Sequence, residues 1–150
     1  MKKKIIDYLV ISIRLLLGAL FINTGSMKFL GVKEDLDSPD FLEAGPAIIE
    51  FFRFMENTGE YWQFIGMGQL ITGLLLFTQR FATLGAIIMM PISLNILMVQ
   101  LTFNELVGYK ILDICILLIN ILLLVYDREK LKYIFKTRKQ LGLINLGKSR

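Results

Sequence analysis

The chain has 150 residues, 55% of them hydrophobic, with 17 Lys and Arg against 13 Asp and Glu for a formal net charge of +4 and a mean hydropathy of +0.60. That is one domain's length and more apolar than a water-soluble domain of this size requires, so a bilayer is the solvent that fits it. Histidine is absent and Cys115 is the single cysteine, which excludes histidine-ligated haem, Cys-x-x-Cys disulfide chemistry and a Cys/His zinc site within this chain.

Spanning the hydrocarbon core takes roughly 20 mostly apolar residues per helix, and four stretches meet that need, giving an all-α, integral membrane four-helix bundle in one domain. The N-terminal "MKKKIIDYLVISIR" has the basic start of an export signal, but Arg14 interrupts the apolar run and no A-x-A cleavage site follows, so it reads as an uncleaved anchor. It leads into the first span, about residues 8–28. Within "RLLLGALFINTGSMKFLG", Arg14, Gly18, Phe21, Gly25 and Lys28 step by four and three, which keeps them on one helical face. The two glycines on that stripe admit close approach of another helix.

The first loop, residues 31–60, is rich in acids: positions 34 to 60 hold eight Asp and Glu against one arginine. Ser38-Pro39 reads as an N-cap with proline in the first turn, and Gly45-Pro46 restarts a second helix. Ile48, Phe51, Phe52 and Met55 recur at helical spacing while Glu50, Arg53 and Glu56 lie off the stripe. This amphipathic helix is expected to rest on the outer leaflet or to cap the bundle. Tyr61, Trp62 and Phe64 then form an aromatic belt where the second span begins.

The second span, about 61–79, repeats the first span's pattern with Gly66, Gln69, Gly73, Leu76 and Arg80 on one face. The third, about 81–101, carries Pro91, expected to kink the helix, with Asn95 one turn on. The fourth, about 110–126, puts Asp113, Ile116, Asn120, Leu123 and Asp127 on one stripe, and Cys115 reads as a small buried hydrophobe. The tail, 127–150, mixes six cations between Arg128 and Lys139 with Leu131, Tyr133, Ile134 and Phe135, an amphipathic basic segment suited to anionic lipid, to a partner, or simply to anchoring topology.

Lys and Arg beside the spans divide twelve against four, which places both termini in the cytoplasm and the acid-rich loop outside. The expected location is a bacterial cytoplasmic (inner) membrane. A mid-membrane ionisable group facing lipid costs about 2.5–3.5 kcal/mol on insertion scales, so the polar stripes should face inward. Lys28, Gln69, Asn95 and Asp113 then share the outer half, as a polar pocket for a small ligand or quinone head group, or as a Lys28–Asp113 pair that sets helix register. Arg14, Arg80, Asn120 and Asp127 form an inner cluster in which Arg14 reaches the interface and pairs with Asp127.

With these residues in place, "RLLLGALFINTGSMKFLG" followed by "GMGQLITGLLLFTQRFATLGAIIMMPI" resembles the DoxX-like family of small four-helix bacterial membrane proteins, from Arg14 to about Lys132. The marks are Arg14, Gly18, Gly25 and Lys28 in the first helix, and Gly73-Leu74-Leu75 with Arg80 and Ala82 around the second turn. The resemblance implies a membrane subunit associated with redox partners and quinone; the acidic loop and the lack of histidine depart from the redox members. The expected function is therefore an accessory or partner-binding subunit that holds a quinone-like or lipophilic ligand. The alternatives are a membrane subunit of a quinone-linked oxidoreductase and a small transporter whose pocket is Lys28, Gln69, Asn95 and Asp113. No haem or metal is expected in the chain. The expected partners are the lipid bilayer, a membrane or redox protein, or a second copy of the chain; no nucleic-acid motif is present.

Overall fold

The computed structural model describes residues 2–135, with side chains from residue 4 to residue 132, and its regular structure is entirely helical. In chain order the elements are α1 (Lys2–Phe29), α2 (Pro39–Ala44), α3 (Pro46–Thr58), α4 (Glu60–Phe77), α5 (Ala82–Phe103), α6 (Val107–Tyr126) and α7 (Arg128–Phe135). Three stretches, Lys4–Phe29, Ala82–Phe103 and Val107–Tyr126, are long and apolar enough to cross a bilayer. The chain is thus a multi-pass helical membrane protein. The fourth long helix, α4, has 18 residues but opens on Glu60-Tyr61-Trp62-Gln63 and carries Gln69, which dilutes its apolar character.

The stretches expected as spans, 8–28, 61–79, 81–101 and 110–126, correspond to α1, α4, α5 and α6 with shifted ends. α1 begins earlier, at Lys2, and α4 stops at Phe77 because Gln79 turns the chain with φ 57° while its amide donates to the Leu76 carbonyl at 3.0 Å. α1 ends where Val32 N–H reaches back to the Met27 carbonyl at 2.9 Å, a closure that needs the φ of +71° held by Gly31. The tail begins as α7; residues 136–150 of the expected amphipathic segment lie outside the described residues.

Glycine decides how α1 meets α4. A Cβ on Gly66 would stand 2.5 Å from the Phe29 nitrogen and 2.8 Å from the Gly25 oxygen, and one on Gly73 would stand 2.7 Å from the Gly18 oxygen. The glycines of the two stripes face each other in antiparallel order, Gly18 with Gly73 and Gly25 with Gly66, leaving the backbones in direct contact. α5 joins through Gly85, whose position lies against the Leu76 backbone, and α6 joins α5 through Thr83–Asp127 and Met90–Asn120 contacts. Leu17, Phe21, Leu76, Ala86, Met89 and Leu123 form the shared apolar core.

At the opposite end from α7, the amphipathic α3 caps the long helices. It buries Ile48 and Met55, stacks Phe51 on Phe103 at 5.2 Å and sets Phe52 edge-on to Trp62 at 5.4 Å. The turn before it is pinned from below, since Glu105 N–H donates to the Ala44 carbonyl at 2.9 Å and Gly45 lies against the Glu105 side chain with φ of +95°. Through these contacts α3 sits as a cap over α4 and α5. Ser38 occupies the expected N-cap position of α2, with extended backbone angles and no side-chain capping bond.

Candidate functional site

Between α4 and α5, beneath α3, lies a cavity of about 550 Å³. Its position follows from the packing. α4 and α5 touch at Leu76 and Gly85, where backbone meets side chain and backbone, but at Gly68 only the Ile92 side chain comes near, so the helices part toward the α3 end. Apolar Ile88 and Ile92 wall the deep part of the gap, and Phe51, Phe52 and Met55 of α3 roof it. Phe64, Met67 and Ile71 are exposed along its edge, so the cavity opens at its side.

Lys28 supplies the only charge among the lining residues. Its side chain leans from α1 across α4: Nζ donates to Gln69 Oε1 at 3.3 Å and stands 4.9 Å from the centre of the Trp62 ring. Trp62, expected in an interfacial belt, is instead turned inward and only 5% exposed, with its indole N–H buried and without an acceptor. Tyr61 and Phe64 do stay on the surface. The inward turn follows from α3, whose Phe52 offers an aromatic partner that sequence position alone cannot announce.

Of the four expected pocket residues, the structure brings Lys28, Gln69 and Asn95 to one region and leaves Asp113 apart. Asn95 lines the cavity, and Gln69 sits behind it as the acceptor for Lys28. Asp113 does not line it and is not at ion-pair distance from Lys28; its Oδ2 is buried without a hydrogen-bond partner. The register-setting Lys28–Asp113 pair is therefore replaced by a Lys28–Gln69 hydrogen bond, because Gln69 lies on the helix that glycine brings against α1. Pro91 lies on the cavity wall within a continuous α5.

The second expected cluster, at the α7 end, is smaller than the stripes suggest. Arg14 and Asp127 meet at 2.5 Å, both buried, and Thr83 donates to the same carboxylate at 2.8 Å while Lys130 reaches its other oxygen at 3.1 Å. Burial pushes the Asp127 carboxyl up, but the Thr83 hydroxyl, Lys130 and Arg14 outweigh it and hold the group below its usual range. Arg80 is exposed and lies over the Phe81 ring at 5.6 Å, outside this pair. Asn120 is fully buried two turns away, with its amide directed at the Met90 sulfur at 3.8 Å. Thr83 escaped the stripe reading, since a threonine opening an apolar helix carries no sign of what it will face. Cys115, expected to be buried, is exposed on α6 among Leu112, Ile114 and Leu118.

Among the described residues no three Asp, Glu, Cys or His gather as a metal-binding group. No family model matches the chain, and no solved structure matches it. It is similar to the Uncharacterized protein YwoB of Bacillus subtilis (strain 168), with 33% identity over 93 residues, which is 62% of this chain and 59% of that protein. The chain is a distant homologue of that protein.

Proposed function

We propose that the protein is a four-span, DoxX-like membrane protein with both termini in the cytoplasm, and that it holds a lipophilic ligand in the α4–α5 cavity as an accessory or partner-binding subunit. The observation that carries this is the 550 Å³ apolar cavity, open at its edge and closed on its inner wall by Lys28. α4 crosses because it lies antiparallel to α1 from Gly18–Gly73 to Gly25–Gly66, and a partner helix at that depth shares α1's surroundings. The acid-rich loop stays outside and the basic ends stay in. Reporter domains inserted near Asp37 and fused after Arg150 are expected to report opposite sides of a bacterial inner membrane, and a shared side overturns the four-span arrangement.

Quinone is one lipophile such a cavity would take, with no haem or metal in the chain itself. A role beside a redox partner, as a quinone-linked oxidoreductase subunit, draws on the same site. A transporter reading draws instead on Thr72, Ser93 and Asn120, whose buried side-chain oxygens lack partners between the two ends of the helices.

The test of ligand holding is a variant that fills the cavity without disturbing the helices. A Cβ on Gly68 would meet only the Ile92 side chain, at an ordinary 3.5 Å, so Gly68→Leu should fold and project into the cavity. Native mass spectrometry of protein extracted in mild detergent is expected to show a bound lipophile on the parent and at least about a tenfold lower occupancy on Gly68→Leu, the loss that about 1.4 kcal/mol of displaced contact produces. Equal occupancy in the two proteins would place any bound lipophile elsewhere.

A further inference from the structure

We infer that the ligand of the α4–α5 cavity is an outer-leaflet amphiphile with an anionic oxygen head, a carboxylate or phosphate, whose head is held by Lys28. This rests on the reading of the cavity as a ligand site.

The cavity is polarised along its length. Its polar members, Lys28, Trp62, Asn95 and Gln100, stand at the α3 end, and its deep part is isoleucine. That is the orientation of a lipid in the leaflet on that side, head at the surface and chain toward the midplane.

Donors also outnumber acceptors at the head end. The Lys28 ammonium has three N–H donors, of which Gln69 takes one; the Trp62 N–H also lacks an acceptor among the described residues, but it is enclosed by the protein and does not open into the cavity. Glu34 and Asp113 are the carboxylates whose charge reaches Lys28, and among the described residues neither stands at ion-pair distance from it. A half-buried cation with free donors and no counter-ion in contact asks for an acceptor that is itself charged. A neutral head satisfies the hydrogen bonds without the charge. A choline-type head would set its own cation against Lys28.

Trp62 is the chain's one tryptophan, so its fluorescence reports on the site alone. The experiment uses the full chain in phosphatidylcholine vesicles at mildly alkaline pH, titrated with stearate bearing a doxyl quencher near its carboxylate, with the methyl ester of the same probe, and with a phosphatidate bearing the same group. Saturable quenching by the two anionic probes is expected at concentrations at least about tenfold below that of the ester, the discrimination typical of a hydrogen bond to a charged group. Tighter binding by the phosphatidate points to a phospholipid as the source, and tighter binding by the stearate to a free fatty acid.

Lys28→Met is expected to remove the preference for the anions and Lys28→Arg to retain it. Equal quenching by ester and anions, or an unchanged preference in Lys28→Met, overturns the anionic head. The Gly68→Leu variant separates that outcome from failure of the site: if it abolishes quenching by all three probes the cavity still binds a lipophile, and if it abolishes none the cavity reading itself falls.

Discussion

Gly66→Ala is expected to destabilise the protein more than any other single methyl added at the glycines of the long helices. Its Cβ would meet the Phe29 nitrogen at 2.5 Å, the Gly25 oxygen at 2.8 Å and the Lys28 Cβ at 2.8 Å, and two of these three are backbone atoms that no rotamer change can clear. Relief requires α1 and α4 to separate along the seam. Overpacking ordinarily costs about 1–3 kcal/mol, and this case belongs at or above the upper end, since the obstacle is main chain.

The series should be graded by distance. Gly25→Ala and Gly73→Ala, with closest approaches of 2.6 and 2.7 Å, follow Gly66→Ala, and Gly18→Ala, at 3.0 Å, is mildest. Gly108, near the start of α6 with nothing within 4 Å, is the control; there alanine should be neutral or should gain up to about 1 kcal/mol in helix propensity. Thermal melts in mild detergent check the order. Equal losses at all four interface positions would show that the seam is looser than the glycine contacts indicate. Because Lys28 and Trp62 sit at the end of that seam, Gly66→Ala should also disturb the cavity.

The second large effect lies at the other end. Asp127→Leu leaves the buried Arg14 charge without its partner and is expected to cost about 3–5 kcal/mol; Arg14→Met should cost less, since Lys130 and Thr83 still reach the carboxylate, and the double variant should recover most of the Asp127→Leu loss because two charges leave the interior together. Recovery is incomplete, since Thr83 and Lys130 also lose their acceptor. Melting temperatures of the four proteins form the cycle, and losses that simply add would show that the pair is not coupled.

The same carboxylate sets a pH dependence. Its pKa in the folded state lies below the unfolded value, so its contribution is complete above the unfolded pKa of about 3.9 and is lost as pH falls through the folded value. The Arg14-dependent part of the melting temperature should therefore hold steady from neutral pH down to about 4 and decline below it. Asp127→Asn should remove that acid decline.

Much of this was legible in the chain. A period of 3.6 residues is a local property, so Gly18, Gly25, Gly66 and Gly73 could be assigned to stripes, Ile48 and Met55 to the buried side of α3, and Arg14 and Asp127 to inward faces before any contact was known. Composition alone directed the chain to a membrane, because apolar stretches of span length have no other favourable solvent. Proline and glycine marked where α2 and α3 begin, through constraints on φ that act within a residue or two.

What the sequence by itself could not determine is which stripe each polar group meets. Helical period gives the face of Lys28 but not its partner. The partner depends on register and on the distance between axes, and here glycine seats α4 closer than any other helix, so Gln69 and Trp62 receive Lys28 while Asp113 stays outside ion-pair distance. Thr83 became a partner of Asp127 for the same reason, carried on α5 to that carboxylate, whereas Lys130 reaches it locally from three residues on. The cavity is a tertiary product in the strictest sense: it exists because α4 and α5 touch at Gly85 and diverge before α3 closes over them, a difference in separation along two helices that no residue pattern within either one encodes.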